Sequence, residues 1–336
     1  MPESTASGCV ALADEFFVAK RKRESTDRIL AKSGIDRKEG DGYYRSPYEG
    51  IAENGFVRPE NLGERLSIDE LNVAGDVYTI VGNPVGNRIV AFLPGTKAKP
   101  VVDAFSAAVP YSARLAVKET TLDMSESMDW IVRELFPQAK RTLDRFHVTK
   151  NVLEDVQAVR TRIKTGIKED ELSKEEACRI ERKWYVPKRL GNGETRLEFV
   201  SRLRYQLFER RKDWGEGQKA RWTILERREE FAELAAVYGI VDEFYRIYDS
   251  EVSRAEAKPL WEEWFRKTSR FENIRELQNA GRTVKNHLEG VLNYFGGRNT
   301  NAFAEGLHSR IRRLISNSRG FRNRDYLVYR IMKTFA

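Results

Sequence analysis

From Arg65 onward apolar and polar residues alternate in short blocks. RLSIDEL (65–71), VYTIVGN (77–83) and RIVAFLPG (88–95) each carry the two-residue period of a strand. Asn83-Pro84-Val85-Gly86-Asn87 is a turn between the second and third blocks, so the three predict an antiparallel meander. The period then lengthens. Pro100 stands where a first helical turn tolerates it, and Val101, Val102, Phe105 and Val109 continue an amphipathic helix to Pro110. VKETTLD (117–123) returns to strand. Met128, Ile131, Val132, Leu135 and Phe136 mark a second helix, which Pro137 stops, and KRTLD (140–144) is a fifth strand.

Beyond His147 the strand period disappears. Val148 to about Glu289 is charged and helical, interrupted by the loop Leu190-Gly191-Asn192-Gly193, and the chain returns to the strand-bearing part near Leu292. A final helix is predicted from Asn299 or Asn301, either of which can cap it, to about Ser316. Residues 1–60 read as irregular and partly helical. The predicted organisation is therefore an N-terminal segment over 1–60, the first part of a core over 61–150, an all-helical insertion over 151–289, and completion of the core over 290–336. The order of strands and helices predicts an α/β fold: a ribonuclease H-like mixed sheet flanked by helices, with a large all-α insertion.

Composition narrows the function. The chain has 336 residues of which 40% are hydrophobic, enough for a real core, yet its apolar runs are strand-sized and no bilayer span is expected. The N-terminus lacks the basic and apolar pattern of a secretion signal, which points to the cytoplasm. The two cysteines, Cys9 and Cys178, are far apart and support neither a disulfide framework nor a zinc ribbon. A formal net charge of +8 suits a polyanionic partner, and most of it lies between Gly306 and Ala336, where eight Lys/Arg face one acid, Asp325. Arg310, Arg312, Arg313, Arg319, Arg322 and Arg324 are the candidate DNA-binding residues there; a solvated helix face is the plainer reading of such a run.

Three carboxylates stand out by position. Asp69 lies mid-strand, on the face opposite Leu66 and Ile68. Asp123 closes the fourth strand just before a helix; followed by Glu126, it equally reads as a helix cap with its capping-box partner. Glu305 sits in the last helix with His308, Ser309 and Arg312 at helical spacing, and alone would be a surface glutamate. In a ribonuclease H-like sheet the first strand lies beside the fourth and a late helix crosses both, which would bring the three together. Clustered anions repel one another unless cations neutralise them, so the group calls for a hard divalent metal. Magnesium or manganese, two ions, suits in-line phosphoryl transfer.

SIDEL, TLDMSESMDWIVRELFPQAKRTLDRFHVTK and NTNAFAEGLHSRIRRLISNSRGFRN resemble the bacterial insertion-sequence DDE transposases of the ISL-three family, from about Asn61 to the C-terminus. The resemblance implies a transposase that cleaves DNA at transposon ends and transfers the strand into target DNA, with Asp69, Asp123 and Glu305 as catalytic metal ligands. The family's Asp-x-x-His motif falls on Asp144 and His147, either as support for the metal site or contact with a DNA phosphate, or simply as a strand-end interaction that orients a helix start. His308 stands where many relatives have Asn. Relatives also carry an N-terminal end-binding region; none is visible before Asn61, so a separately encoded one is an expected partner, together with a homo-oligomer assembled on DNA in the bacterial nucleoid. Trp261 and Trp264, ahead of the last helix, are candidates to stack on an unpaired base or, more plainly, core residues. The alternatives are a catalytically inactive DNA-binding relic and a ribonuclease H-like nuclease.

Overall fold

The computed structural model describes residues 49–318 and 323–336. The short helix Ala11–Lys20 expected from the sequence, Cys9, Arg319 and Arg322 lie outside the described residues. The chain forms two compact units. One takes the chain up to Thr120, then Glu126–Ala139 and Ala302–Ala336; the other takes Thr121–Ser125 and Lys140–Asn301.

In the first unit, helix α1 (Ile51–Asn54) leads into β1 (Phe56–Val57), and β2 (Arg65–Val73), β3 (Asp76–Asn83) and β4 (Arg88–Pro94) make the expected meander. The β2–β3 turn is tight enough to force both Ala74 and Gly75 into positive φ, a region glycine enters freely and alanine only at a cost. Pairing sets Asp69 opposite Ile80 and Leu71 opposite Tyr78. Helix α2 (Ala98–Ala108), the single turn α3 (Tyr111–Arg114) and β5 (Glu119–Leu122) follow, then α4 (Glu126–Leu135). With β6 (Lys140–Leu143) the sheet order is β1-β4-β3-β2-β5-β6. The chain thus crosses from β4, by way of helices, to the far side of β2, which makes the sheet mixed and bears out the α/β reading.

Two elements differ from those the sequence predicts. Phe56–Val57 forms a strand, pairing antiparallel with Phe92 and Ala91, although the segment read as irregular. The helix carrying Glu305, α12 (Ala302–Asn317), is also not the last: α13 (Arg324–Phe335) follows it. Leu307 and Ile311 of α12 with Leu327, Val328 and Ile331 of α13 bury the sheet face made by Leu71, Val73, Tyr78, Ile80, Ile89 and Phe92. The segment singled out for its basic charge therefore also supplies apolar residues to the core, and Arg312, Arg313, Arg324 and Lys333 lie on its exposed side.

The second unit is helical apart from the end of β5 and β6. Helix α5 (Arg145–Ile180) begins directly after Asp144, and α6 (Arg196–Phe208), α7 (Glu216–Arg227), α8 (Ala232–Asp249), α9 (Arg254–Ser269), α10 (Arg275–Asn286) and α11 (Leu288–Gly297) complete it. Its centre is aromatic: Phe244, Tyr248, Trp261, Trp264 and Phe295 meet edge-on or stacked at centroid separations of 5.1 to 5.9 Å. No helix among the described residues is long and apolar enough to cross a membrane.

Candidate active site

Asp69 belongs to the same face of β2 as Leu71 and Val73, because side chains alternate along a strand. That face is covered by α12. Asp69 is nearly buried, and its Oδ1 accepts a 2.8 Å hydrogen bond from the N–H of Glu70. Its Oδ2 lies 4.0 Å from Nδ1 of His308, outside hydrogen-bond reach but close enough for a protonated imidazole to be felt. His308 is one helical turn beyond Glu305, whose own side chain is exposed. The sheet therefore presents Asp69 to the helix that carries Glu305. His308 is a neighbour of Asp69 for which the sequence offers one signal, its three-residue spacing from Glu305.

Glycine makes the approach of this helix possible. Gly82 on β3 lies directly beneath Phe303, and a Cβ built there would overlap the ring. A β-bulge at Val81/Gly82 marks the same place.

In the second unit Asp123 follows β5 directly. Its Oδ1 accepts a 2.9 Å hydrogen bond from the N–H of Ser125, a turn that folds the side chain back on the chain two residues later. The carboxylate is half-buried. Asp144 follows β6 in the same manner, its N–H bonded to the carbonyl of Leu122 at 2.8 Å. It occupies the N-cap position of α5 and is almost fully buried. Oδ1 accepts from the N–H of Asn301 at 3.1 Å, and Oδ2 lies 3.2 Å from Nδ1 of His147. Burial alone would raise the Asp144 carboxyl. The hydrogen bonds from His147 and Asn301, with the charge of His147, outweigh it and hold the group below the ordinary aspartate range. Asp144 and His147 thus form a real pair, and the carboxylate grips the residue that immediately precedes α12.

Asp69, Asp123 and Glu305 are oxygen donors, and no thiol is near them in the chain; the donor chemistry fits magnesium or manganese rather than zinc. Among the described residues no three His, Cys, Asp or Glu side chains gather closely enough to hold a metal ion. The arginines expected to meet DNA divide into two kinds. Arg310 donates to Oδ1 of Asn87 at 2.9 Å and lies over the Phe335 ring, and Arg324 pairs with Asp76 at 2.6 Å. Arg312 and Arg313 project outward from α12. Trp261 and Trp264 are both wholly buried, with the Trp264 indole donating to the Ile240 carbonyl, so neither has a face to offer a base; they are the core of the second unit.

The family model of DDE transposases of the ISL-three type, described as "Transposase", matches residues 66–331, which takes in β2, the helical region and α12. The chain belongs to this transposase family. Comparison with curated proteins finds no match.

Proposed function

We propose that the chain catalyses metal-dependent cleavage of DNA at transposon ends and transfer of the freed strand into target DNA. The carrying observation is that the family match spans Asp69, Asp123 and Glu305 in one continuous stretch, while β2 presents Asp69 to the helix bearing Glu305. In this reading those three carboxylates hold magnesium or manganese, which when bound polarises phosphate oxygens and favours attack at phosphorus. Asp144 has a positioning role: it holds the backbone of Asn301, and with it the start of α12, while His147 keeps the Asp144 carboxylate charged and aligned. Arg312 and Arg313, with Arg319 and Arg322, neutralise DNA phosphates. The chain would work in the bacterial cytoplasm as a homo-oligomer on DNA, with a separately encoded region recognising the transposon ends. The boundaries 61–150, 151–289 and 290–336 are the proposed limits of core, insertion and core completion.

Asp69→Asn, Asp123→Asn and Glu305→Gln in the full chain, assayed on end-bearing duplex with magnesium, test the assignment. Each is expected to lower cleavage by about a thousandfold or more with unchanged circular dichroism. Cleavage at the normal rate by any one of them removes that residue from the site.

A further inference from the structure

We infer that the loop Arg182–Arg189, at the far end of α5, is a contact for the backbone and groove of duplex DNA remote from Asp144. This deepens the reading above and rests on it only in taking DNA as the substrate.

Helix α5 starts at Arg145, beside Asp144, and runs for 36 residues. At 1.5 Å per residue that places its end about 54 Å from its start. Its buried residues stop at Ile167. Asp170 and Glu171 still meet Arg196, and beyond Glu171 the helix carries nothing buried. A helix end without a buried face is not stabilised by packing and calls for another explanation.

The loop it carries reads RKWYVPKR. Four cations and no acid stand in these eight residues, as two pairs on either side of Trp184, Tyr185, Val186 and Pro187. Trp184 is 97% exposed and Val186 78% exposed, while a tryptophan on a folded protein is ordinarily well covered. The loop is nevertheless built. The Tyr185 hydroxyl donates to Glu171, Arg189 pairs as a β-bridge with Thr195, and the Arg189 guanidinium donates to the Gly193 carbonyl at 2.6 Å. Tyr185 is thereby fixed inward and Trp184 outward. Lys183 is bound to Glu181 at 2.8 Å, but Arg182 and Lys188 make no ion pair among the described residues.

The charge selects the occupant. A loop with four cations and no acid suits a polyanion, whereas a second protein chain would have to bring matching acids. A block of apolar and aromatic residues, Trp184 to Pro187, flanked on each side by a pair of cations matches a DNA groove, where phosphates flank a narrow apolar floor into which a flat side chain can wedge. Because the loop starts at the end of α5, about 54 Å from Asp144, and folds back to Glu171, about 39 Å along the helix, it can hold duplex roughly 11 to 16 base pairs from Asp144, at about 3.4 Å per pair.

The test is binding of the full chain, without divalent metal, to a random-sequence duplex of roughly 30 base pairs, three helical turns. Arg182→Ala with Lys188→Ala is expected to lower the slope of log affinity against log salt by about two. Trp184→Ala is expected to weaken binding about tenfold, and Trp184→Phe to restore most of it. All three positions are exposed, so melting should not move. An unchanged slope and affinity in the variants overturns the inference, as does loss of self-association on Trp184→Ala with DNA affinity intact. Failure of the chain to cleave DNA would bear on the proposed function and leave these binding measurements standing.

Discussion

Asp144 accepts a hydrogen bond from the backbone N–H of Asn301, a residue 157 positions later in the chain, at 3.1 Å. One carboxylate thus joins the end of β6 to the residue before α12. The bond is buried, and its second oxygen faces His147. Replacing Asp144 by Ala leaves a buried N–H without its acceptor, at a cost of about 2–3 kcal/mol. Asp144→Asn keeps an acceptor oxygen for Asn301 and should recover part of that. Denaturant unfolding of the two variants checks the order; equal stability of Asp144→Ala and wild type would show that the Asn301 bond contributes nothing.

Gly82→Ala should destabilise the first unit by about 1–3 kcal/mol, since the added methyl overlaps the Phe303 ring. Phe303 is two residues from Glu305, so cleavage should fall with stability. Phe303→Leu in the same chain removes the overlapping ring edge and should restore both. A melting series over the single and double variants reads the coupling, and additive effects would mean the two residues do not meet.

Glu194 anchors the loop that the glycines Gly191 and Gly193 permit. Burial would raise its carboxyl, but hydrogen bonds from Arg221, Arg202 and Asn192 prevail and depress it from 4.5 to about 2. Arg221 reaches it at 2.7 Å and Arg202 at 2.5 Å. A depressed folded-state pKa stabilises the protein above the unfolded value, and that stability is lost as pH falls from 4.5 toward about 2. Glu194→Gln should therefore be less stable at neutral pH by about 2–4 kcal/mol and show a flatter acid limb across this window. Parallel acid titrations of wild type and variant, followed by tryptophan fluorescence, give the comparison; superimposable limbs would contradict it.

Magnesium or manganese should support cleavage, zinc should not, and calcium should allow DNA binding with little cleavage. The carboxylate donors suit hard cations, and calcium's longer, more flexible coordination fits in-line geometry poorly. Titration of each metal against the chain with end-bearing duplex, adding a separately encoded end-binding protein where cleavage requires it, measures this. Activity with zinc alone would overturn the ligand assignment.

The meander, the two flanking helices and the strand ends at Asp123 and Asp144 were legible because their periods are long enough to read. Phe56–Val57 was not: two residues cannot display alternation, and the pairing with Phe92 and Ala91 is settled by tertiary position. Helix α13 was hidden by charge, since Arg324, Arg330 and Lys333 mask the stripe Leu327, Val328 and Ile331 that fills the core. Asp144 and His147 at three-residue spacing were readable as a pair, but nothing local to Asp144 points to Asn301. Trp261 and Trp264 show the opposite limit. Their helical spacing is equally that of a surface and a core, and only the neighbours Phe244 and Tyr248 decide it.

The two helices that close the sheet, α12 and α13, are made long after the strands they cover, since β4 ends at Pro94 and α12 begins at Ala302. Until they emerge from the ribosome, Leu71, Val73, Tyr78, Ile80, Ile89 and Phe92 have no Leu307, Ile311, Leu327, Val328 or Ile331 to cover them. Translation from β4 to Ala302 takes on the order of ten seconds or longer, during which an apolar sheet face waits in water. Products that stop short of α12 keep that face permanently open and are candidates for chaperone capture or proteolysis. Glu305 thus arrives on the same helix that first covers this face of the sheet.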